Sequence, residues 1–140
     1  MEAIDRLNRD DYYMRNMLFL DMIDSDIVPI VPDTKAIADP GNAGAIPVTQ
    51  SGTCLLTSGA SAETRTLAVP TSLGMTLDLV HTVDGGGAIT ITVAAAINQT
   101  GNNTIAVQDA GDFLRLVSVR VGANYRWKLI VNDGATLTTV

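Results

Sequence analysis

The chain has 140 residues, of which 46% are hydrophobic and 17% are charged, and its formal net charge is −6. This length and apolar content suit one folded domain and exclude a disordered tail. The acidic balance argues against a nucleic-acid-binding protein, which needs a basic face to displace counterions. The single cysteine, Cys54, excludes an intrachain disulfide and a cysteine-based metal site.

The first residues are acidic where a signal peptide would have a basic region and an apolar core. No apolar run approaches the roughly 18 residues that a membrane span needs. We therefore expect a protein that is made and folded in a reducing cytoplasm, with neither nucleic acid nor membrane among its partners.

Residues 1–26 predict an α-helix that is strongest from 10 to 24. The segment lacks Gly and Pro, its apolar residues recur at roughly helical spacing, and Asn8 or Asp10 is a suitable N-cap. Four consecutive apolar residues at 17–20 widen the apolar band, so more than one face of the helix needs cover. We expect the helix to dock on another surface.

An extended arm is predicted after this helix. Four of the five prolines fall within about twenty residues there, and proline fixes its own φ and pushes the preceding residue toward extended conformations. The apolar residues Ile27, Val28, Ile30 and Val31 need cover, so the segment is more than a free linker.

From Ile46 onward the hydrophobic period changes to two, and short runs rich in Thr and Val alternate with Gly- and Asn-containing turns. This pattern is typical of an antiparallel β-sandwich or barrel, jelly-roll-like in class. The sequence thus predicts a helix and arm over residues 1–45 and an antiparallel β-domain over residues 46–140. The predicted strands are 46–50, 53–57, 65–69, 75–81, 88–94, 104–107, 113–121 and 125–132, with a last candidate at 135–139.

The strand at 113–121 is apolar on both faces. Phe113 and Val117 lie on one side, and Leu114 and Leu116 lie on the other. A strand of this kind is either central in its sheet or covered by another subunit. These four residues are therefore the candidate oligomer interface.

In the strand at 125–132, the side chains of Tyr125, Trp127, Leu129 and Val131 are predicted to share one side, with basic residues between them. This alternation favours a core face with Trp127 buried. The alternative is that Trp127 and Tyr125 stack on a sugar.

The stretch HTVDGGGAITITV, residues 81–93, looks most like chemistry, because it joins the chain's one histidine to Asp84 and three glycines. A phosphate-binding glycine loop needs a helix after it, and here a β-period follows. We therefore predict a hairpin whose glycines supply positive φ, with His81 as a surface or packing residue that alanine replaces at a cost below ~1 kcal/mol. A Ser–His–Asp triad remains the alternative, although no GxSxG motif frames a serine.

Two pairs of acids suggest calcium ligands, Asp24 with Asp26 and Asp109 with Asp112. The EF-hand spacing is missing, and acids near turns usually cap or solvate them. Two Asn-x-Thr sequons are interpreted as turn asparagines. We expect no metal, no cofactor and no catalytic residue, and hence no enzyme.

The stretch GNNTIAVQDAGDFLRLVSVRVGANYRWKLIVNDGATL resembles the repeated small β-domains of structural proteins in tailed bacteriophages. There, a strand that ends in a glycine turn leads into a YRW-like strand and then an NDG turn. The resemblance covers roughly residues 85–138. A helix and arm joined to a compact Thr- and Gly-rich β-domain resembles the capsid decoration (cement) proteins in particular, which are typically trimers on the outside of the head.

The resemblance implies a non-enzymatic virion protein, on the outer capsid surface, that stabilises the shell by bridging neighbouring major capsid subunits. Its expected partners are the major capsid protein and itself, as a homotrimer. The apolar residues of the helix and arm are the candidate capsid contacts: Met17, Leu18, Phe19, Leu20, Met22, Ile23, Ile27, Val28, Ile30 and Val31.

Two other functions remain as alternatives. One is a phage fibre, spike tip or head-fibre domain that binds a host surface glycan or receptor. The other is a small hydrolase on a β-sandwich. Only about 45 residues precede the β-domain where a fibre tip usually follows a long shaft, and this favours the decoration protein.

Overall fold

The computed structural model describes residues 35–140, which belong to one compact unit. The predicted N-terminal helix, the first part of the arm and the ten candidate capsid contacts lie outside these residues. The predictions made for them are therefore untested.

The described part of the chain is mainly β, as predicted, with 53% of its residues in strands and no helix among them. The ten strands are β1 (Lys35–Ile37), β2 (Gly44–Ile46), β3 (Gly52–Thr57), β4 (Glu63–Leu67), β5 (Thr76–Val83), β6 (Ile89–Val93), β7 (Thr104–Val107), β8 (Phe113–Val121), β9 (Asn124–Asp133) and β10 (Thr136–Thr138).

The strands form two five-stranded sheets. The first sheet has the order β1-β3-β5-β8-β9, and the second sheet has the order β10-β7-β6-β4-β2. From β1 to β6 the chain alternates between the sheets, so that β1, β3 and β5 pair in parallel and β2, β4 and β6 do the same. The chain thus winds three times through both sheets before its last four strands add antiparallel pairings.

The predicted purely antiparallel sandwich is therefore wrong, because both sheets are mixed. Alternating burial reports that a strand has one face in the core, but it does not say whether the next strand returns in the same sheet or crosses to the other. The turns between β1 and β6 make the crossings from one sheet to the other.

Two strands lie inside the segment predicted to be an arm. β1 pairs with β3, with Lys35 opposite Gly52, and β2 pairs with β4, with Gly44 opposite Arg65. Each strand has three residues and buries one of them, Ile37 or Ile46. Strands of three residues are too short to show the two-residue hydrophobic period. The sequence pattern therefore placed the beginning of the β structure too late in the chain.

The core lies between the two sheets and is built from the inward residues of the alternating strands. In β6, Ile89, Ile91 and Val93 are buried as predicted, while the threonines between them face outward. Each fully buried aliphatic side chain contributes roughly 1.5–3 kcal/mol of transfer free energy. The buried set includes Cys54, Leu56, Leu67, Leu77, Leu79, Ile97, Ile105, Val107, Leu114, Leu116 and Trp127.

The predicted hairpin at 81–93 does not form, because β5 and β6 belong to different sheets. Of the three glycines, Gly86 alone has a positive φ, of 103°. A Cβ atom at Gly85 would overlap the carbonyl oxygen of Ser58, and one at Gly87 would overlap that of Ser61. Two of the three glycines are thus needed for close backbone approach.

Trp127 is 2% exposed, which confirms its predicted core position. Its Nε1–H donates to the carbonyl oxygen of Ala68 at 2.9 Å and ties β9 to the segment after β4. A register shift in the β8–β9 pair places Val131 opposite Arg115. Val131 therefore faces outward, and its predicted place beside Trp127 is wrong.

We expect Trp127→Ala to lower the free energy of unfolding by about 3–5 kcal/mol, because it empties a buried site the size of an indole. Trp127→Phe should cost less, since it keeps a ring and loses chiefly the bond to Ala68. Urea denaturation followed by circular dichroism measures both, because each variant loses the single tryptophan. An unchanged midpoint in Trp127→Ala would contradict the buried assignment.

Candidate functional site

The turns of the β-domain gather at two opposite ends. At one end, which we name the acidic end, lie the turns 38–43, 58–62, 84–88 and 108–112, together with the β9–β10 turn. Two of these turns, 58–62 and 84–88, contact each other through a main-chain hydrogen bond from Gly87 N to Gly59 O at 2.9 Å. The opposite end, which we name the basic end, carries the turns 47–51, 68–75, 94–103 and 122–123.

His81 lies fully buried near the acidic end, at 0% exposure. Its Nδ1 is 3.1 Å from the carbonyl oxygen of Asp109, and its Nε2 is 3.2 Å from Oγ of Ser58. A carbonyl can only accept, so in the neutral ring we assign the proton to Nδ1, and Nε2 then accepts from the serine hydroxyl. His81 is a packing residue, and the alternative surface position is wrong.

The residue types of a catalytic triad do meet here, in a different order. In a triad the carboxylate holds the histidine through Nδ1, whereas here a main-chain carbonyl does so. Asp84 lies instead beside the serine, with its Oδ1 3.5 Å from Oγ of Ser58. That Oδ1 also accepts from Gly86 N at 2.7 Å, and Gly85 N donates to Oγ of Ser58 at 3.2 Å. The group joins three turns of the acidic end.

A second buried polar group surrounds Arg65, which is 1% exposed. Its Nε donates to Oδ1 of Asp39 at 2.8 Å, and its Nη2 lies 2.8 Å from Oε2 of Glu63. Two main-chain carbonyls, of Thr64 and Thr57, accept further bonds from the guanidinium. Every branch of the buried cation is thereby partnered.

Sequence reasoning missed this group, although one signal could have found it. Arg65 occupies the inward position of β4, where alternation calls for an apolar residue. A charge at such a position needs buried partners. Asp39 could not be identified as one, because it comes from a turn 26 residues earlier.

The ionisation of this group is biased toward the charged forms. Burial by itself would raise the pKa of Asp39, but the bonds from Arg65 and from the backbone N–H groups of Thr57 and Gly41 outweigh it and leave the pKa lowered. The pKa of Glu63 is lowered by the backbone N–H of Gly59 and by Arg65. Burial acts against the charge of Arg65, yet its two carboxylate partners hold its pKa raised.

The outward face of the first sheet carries apolar side chains around an ion pair. Arg115 bonds Asp78 through two contacts, Nε to Oδ1 at 2.7 Å and Nη2 to Oδ2 at 2.9 Å. Leu55, Val80 and Phe113 form one cross-strand row beside this pair. The exposed fraction is 53% for Leu55 and 40% for Val131, which lies opposite Arg115. The face is a candidate contact surface.

The predicted oligomer interface divides between this face and the core. Leu114 and Leu116 are both 0% exposed and pack against their own chain, so they present no surface, and this part of the prediction is wrong. Phe113 and Val117 are half-buried on the outward face, as the alternation predicted. Only these two of the four candidates remain available to a partner.

A groove of about 360 Å³ opens at the basic end. Its lining includes Tyr125, Arg126, Asn124 and the apolar pair Val69 and Pro70. The predicted sugar-stacking pair is thus separated, because Tyr125 lines the groove and Trp127 is in the core.

Among residues 35–140, no group of three or more His, Cys, Asp or Glu side chains is placed to hold a metal ion. Asp112 caps its own turn, with Oδ2 accepting from Gln108 N and Asp109 N. The buried thiol of Cys54 has its pKa raised to about 11 by desolvation. In the same part of the chain, no helix has the length and apolar character needed to cross a bilayer.

No protein-family model, no curated protein and no solved structure matches this chain.

Because His81 is fully buried, the cost below ~1 kcal/mol expected from the sequence is wrong, and we expect His81→Ala to lower the free energy of unfolding by about 2–4 kcal/mol. The change removes a fully buried ring and leaves the Ser58 hydroxyl and the Asp109 carbonyl without their partner. The matched control, Asp84→Ala, changes an exposed side chain and should cost less than about 1 kcal/mol. Equal midpoints for the two variants in urea titrations followed by Trp127 fluorescence would show that the buried contacts of His81 contribute little.

We expect Asp39→Asn to cost roughly 2–4 kcal/mol at pH 7, because it removes one of two carboxylates from a buried guanidinium. The folded pKa of Asp39 lies below its ordinary value of 3.8. Its contribution is therefore present above that value and is lost as pH falls through the folded pKa. The difference between wild type and variant should stay constant above about pH 5 and shrink below about pH 4.

The control for this pH profile is Asp133→Asn, which changes an exposed carboxylate at the same end of the domain. Its unfolding free energy should track the wild type from pH 3 to pH 7. A gap between wild type and Asp39→Asn that persists unchanged at pH 3 would contradict the assigned charge contact.

Proposed function

We propose that this protein is a structural virion protein that binds the outside of a tailed-phage capsid and stabilises it by bridging neighbouring major capsid subunits. The resemblance of residues 85–138 to phage structural β-domains supports this function. The structural observation that carries it is the outward face of the first sheet, which presents exposed and half-buried apolar side chains around a paired Asp78 and Arg115.

The composition of this face suits burial against another protein. Leu55, Phe113 and Val131 supply apolar surface, which contributes roughly 25 cal/mol per Å² when it is removed from water. The charges of Asp78 and Arg115 are already joined through two hydrogen bonds. A partner can cover a matched bidentate pair at a lower desolvation cost than two separate charges.

The rigidity of the face also supports a clamping role. β5 and β8 lie inside the first sheet with a paired strand on each side. A face held in this way loses little conformational entropy on binding, so the free energy of binding is more favourable. Many such contacts in a symmetric shell act together through multivalency, even where each one is weak.

The buried polar groups support a non-enzymatic role. His81 and Ser58 use their side chains to join turns, and the ring of His81 is inaccessible to solvent. Arg65 and its carboxylates are likewise committed to each other.

Within this function, we assign attachment to two elements. The N-terminal segment, with its candidate contacts from Met17 to Val31, binds the major capsid protein, and the outward face of the first sheet contacts the neighbouring subunit. The protein acts as a homotrimer on the outer capsid surface.

A second function is favoured by the groove at the basic end. Tyr125 offers an aromatic surface there, and Asn124 and Arg126 offer hydrogen-bond donors. These are groups that hold a sugar. A fibre, spike tip or head-fibre domain that binds a host glycan would use this groove.

The test adds purified full-length protein to capsids of the parent phage assembled without it, and measures occupancy by co-sedimentation and cryo-electron microscopy. We expect saturable binding at defined positions between major capsid subunits. The variant Leu55→Glu/Val131→Glu places charge on the outward face and should lower the affinity at least about ten-fold.

The matched control, Thr66→Glu/Thr92→Glu, adds the same charge to exposed positions of the second sheet and should bind like the wild type. Circular dichroism checks that all variants fold. Absence of wild-type binding would overturn the decoration function, and glycan binding lost in Tyr125→Ala would establish the fibre function instead. Equal binding by all variants would remove the outward face from the contact.

A further inference from the structure

The charges of the β-domain are sorted by sign along its strands. Residues 35–140 contain seven acidic and six basic side chains. Arg65 pairs with Asp39 and Glu63, and Arg115 pairs with Asp78. Eight charged residues are left outside these pairs: Lys35, Arg120, Arg126 and Lys128, and Asp84, Asp109, Asp112 and Asp133.

The four remaining cations all lie at or beside the basic end. Lys35 is the first residue of β1, opposite Gly52 at the start of β3. Arg120 lies near the end of β8, and Arg126 lies near the start of β9, next to the turn that joins these strands. Lys128 pairs with Val117, which in turn pairs with the first residue of β5.

The four remaining acids all lie at the acidic end. Asp84 directly follows β5, Asp109 and Asp112 lie in the turn before β8, and Asp133 ends β9. The group around Arg65 adds one net negative charge there, because two carboxylates face one guanidinium. Among the four acids, Asp112 is buried, and the other three are exposed.

Within residues 35–140 of one copy, neither end meets charged side chains of the opposite end. Along β9, Lys128 lies five residues and Arg126 seven residues before Asp133, which is a separation of roughly 16–23 Å at about 3.3 Å per residue. The Debye length at physiological ionic strength is about 8 Å, so the attraction between the ends of one copy is screened. Opposite charges at the two ends can therefore attract a second molecule that contacts one of them.

Exposed apolar side chains accompany the charges. Val69, Leu73 and Val121 at the basic end are 46%, 63% and 47% exposed, and Val83 at the acidic end is 56% exposed. Contact between unlike ends would bury such side chains within a complementary charged rim, which is the usual composition of an interface.

We propose that the two ends are the complementary halves of a head-to-tail contact between copies of this chain. The acidic end of one copy, with Asp84 and Asp133, sits against the basic end of the next, with Arg126 and Lys128. The occupant of each end is a second copy, because the domain itself carries both the charge pattern and its complement.

The symmetry of the assembly follows from this contact. A head-to-tail contact is heterologous, and it closes into a ring when the rotation between copies allows. A ring of three agrees with the proposed homotrimer and leaves the outward face of the first sheet free for the shell. A bundle of copies with parallel strands brings like charges together and is disfavoured. This contact rests on the proposed homo-oligomer. It replaces Leu114 and Leu116, which are buried in their own chain, as the interface between copies.

Sedimentation equilibrium of the full chain, at tens of micromolar and without shells, tests the contact. Association should weaken at least ten-fold between 20 mM and 500 mM NaCl. Two variants reverse one end each, Arg126→Glu/Lys128→Glu and Asp84→Lys/Asp133→Lys. Each should lose at least ten-fold in self-association, and an equal mixture of the two should associate. Combining all four changes in one chain leaves formal charges of about 0 and −1 at the two ends, so this variant should also associate more weakly than the wild type.

The matched controls place the same charges on the outward face of the second sheet, as Thr66→Glu/Thr92→Glu and Thr66→Lys/Thr92→Lys, and should associate like the wild type. A wild-type chain that stays monomeric at 20 mM NaCl would overturn the contact. So would equal losses in the controls, or an equal mixture of the two charge-reversed variants that does not associate. Shell binding is scored separately, so its loss would count against the decoration function and leave the contact standing.

Discussion

Arg65 brings a full positive charge into the interior of the acidic end, and the first two windings of the chain are held together by its neutralisation. Asp39 reaches it from the turn between β1 and β2, and Glu63 reaches it from its own strand β4. The carbonyl of Thr57, at the end of β3, accepts from the same guanidinium. An unpaired charge there would cost several kcal/mol, so the three elements must be in register before the interior can close.

The third winding is attached to the second by a different polar group and by glycine. His81 accepts a hydrogen bond from the hydroxyl of Ser58 and donates one to the carbonyl oxygen of Asp109, in the turn before β8. Gly85 and Gly87 lack a Cβ atom, so the turn after β5 can lie directly on the backbone of the turn after β3. The acidic end is therefore a stack of crossing turns that share hydrogen bonds. These shared hydrogen bonds restrict the movement of one turn against another.

In the proposed function, the outward face of the first sheet and the two ends of the domain have different roles. The outward face of the first sheet supplies apolar area around a satisfied ion pair, and the two ends supply opposite charges that lie roughly 16–23 Å apart along β9. Apolar area contributes affinity, whereas sorted charge contributes orientation and partner choice. A decoration protein needs both, because it must bind the shell and meet its neighbours in one arrangement.

The sequence by itself determined that this chain is mainly β, where most strands lie, which residues of β6 face the core, and that Trp127 of β9 is buried. These properties are local, since a period of two records which side of a strand is buried. Only the tertiary structure decided that β1 to β6 cross between two sheets, that His81 is buried, that Leu114 and Leu116 belong to the core, and that the charges are sorted by end. Each of these depends on partners distant in the sequence, such as Ser58, which lies 23 residues before His81. A local pattern shows that a residue needs a partner, and only the packing of the whole chain selects which one it meets.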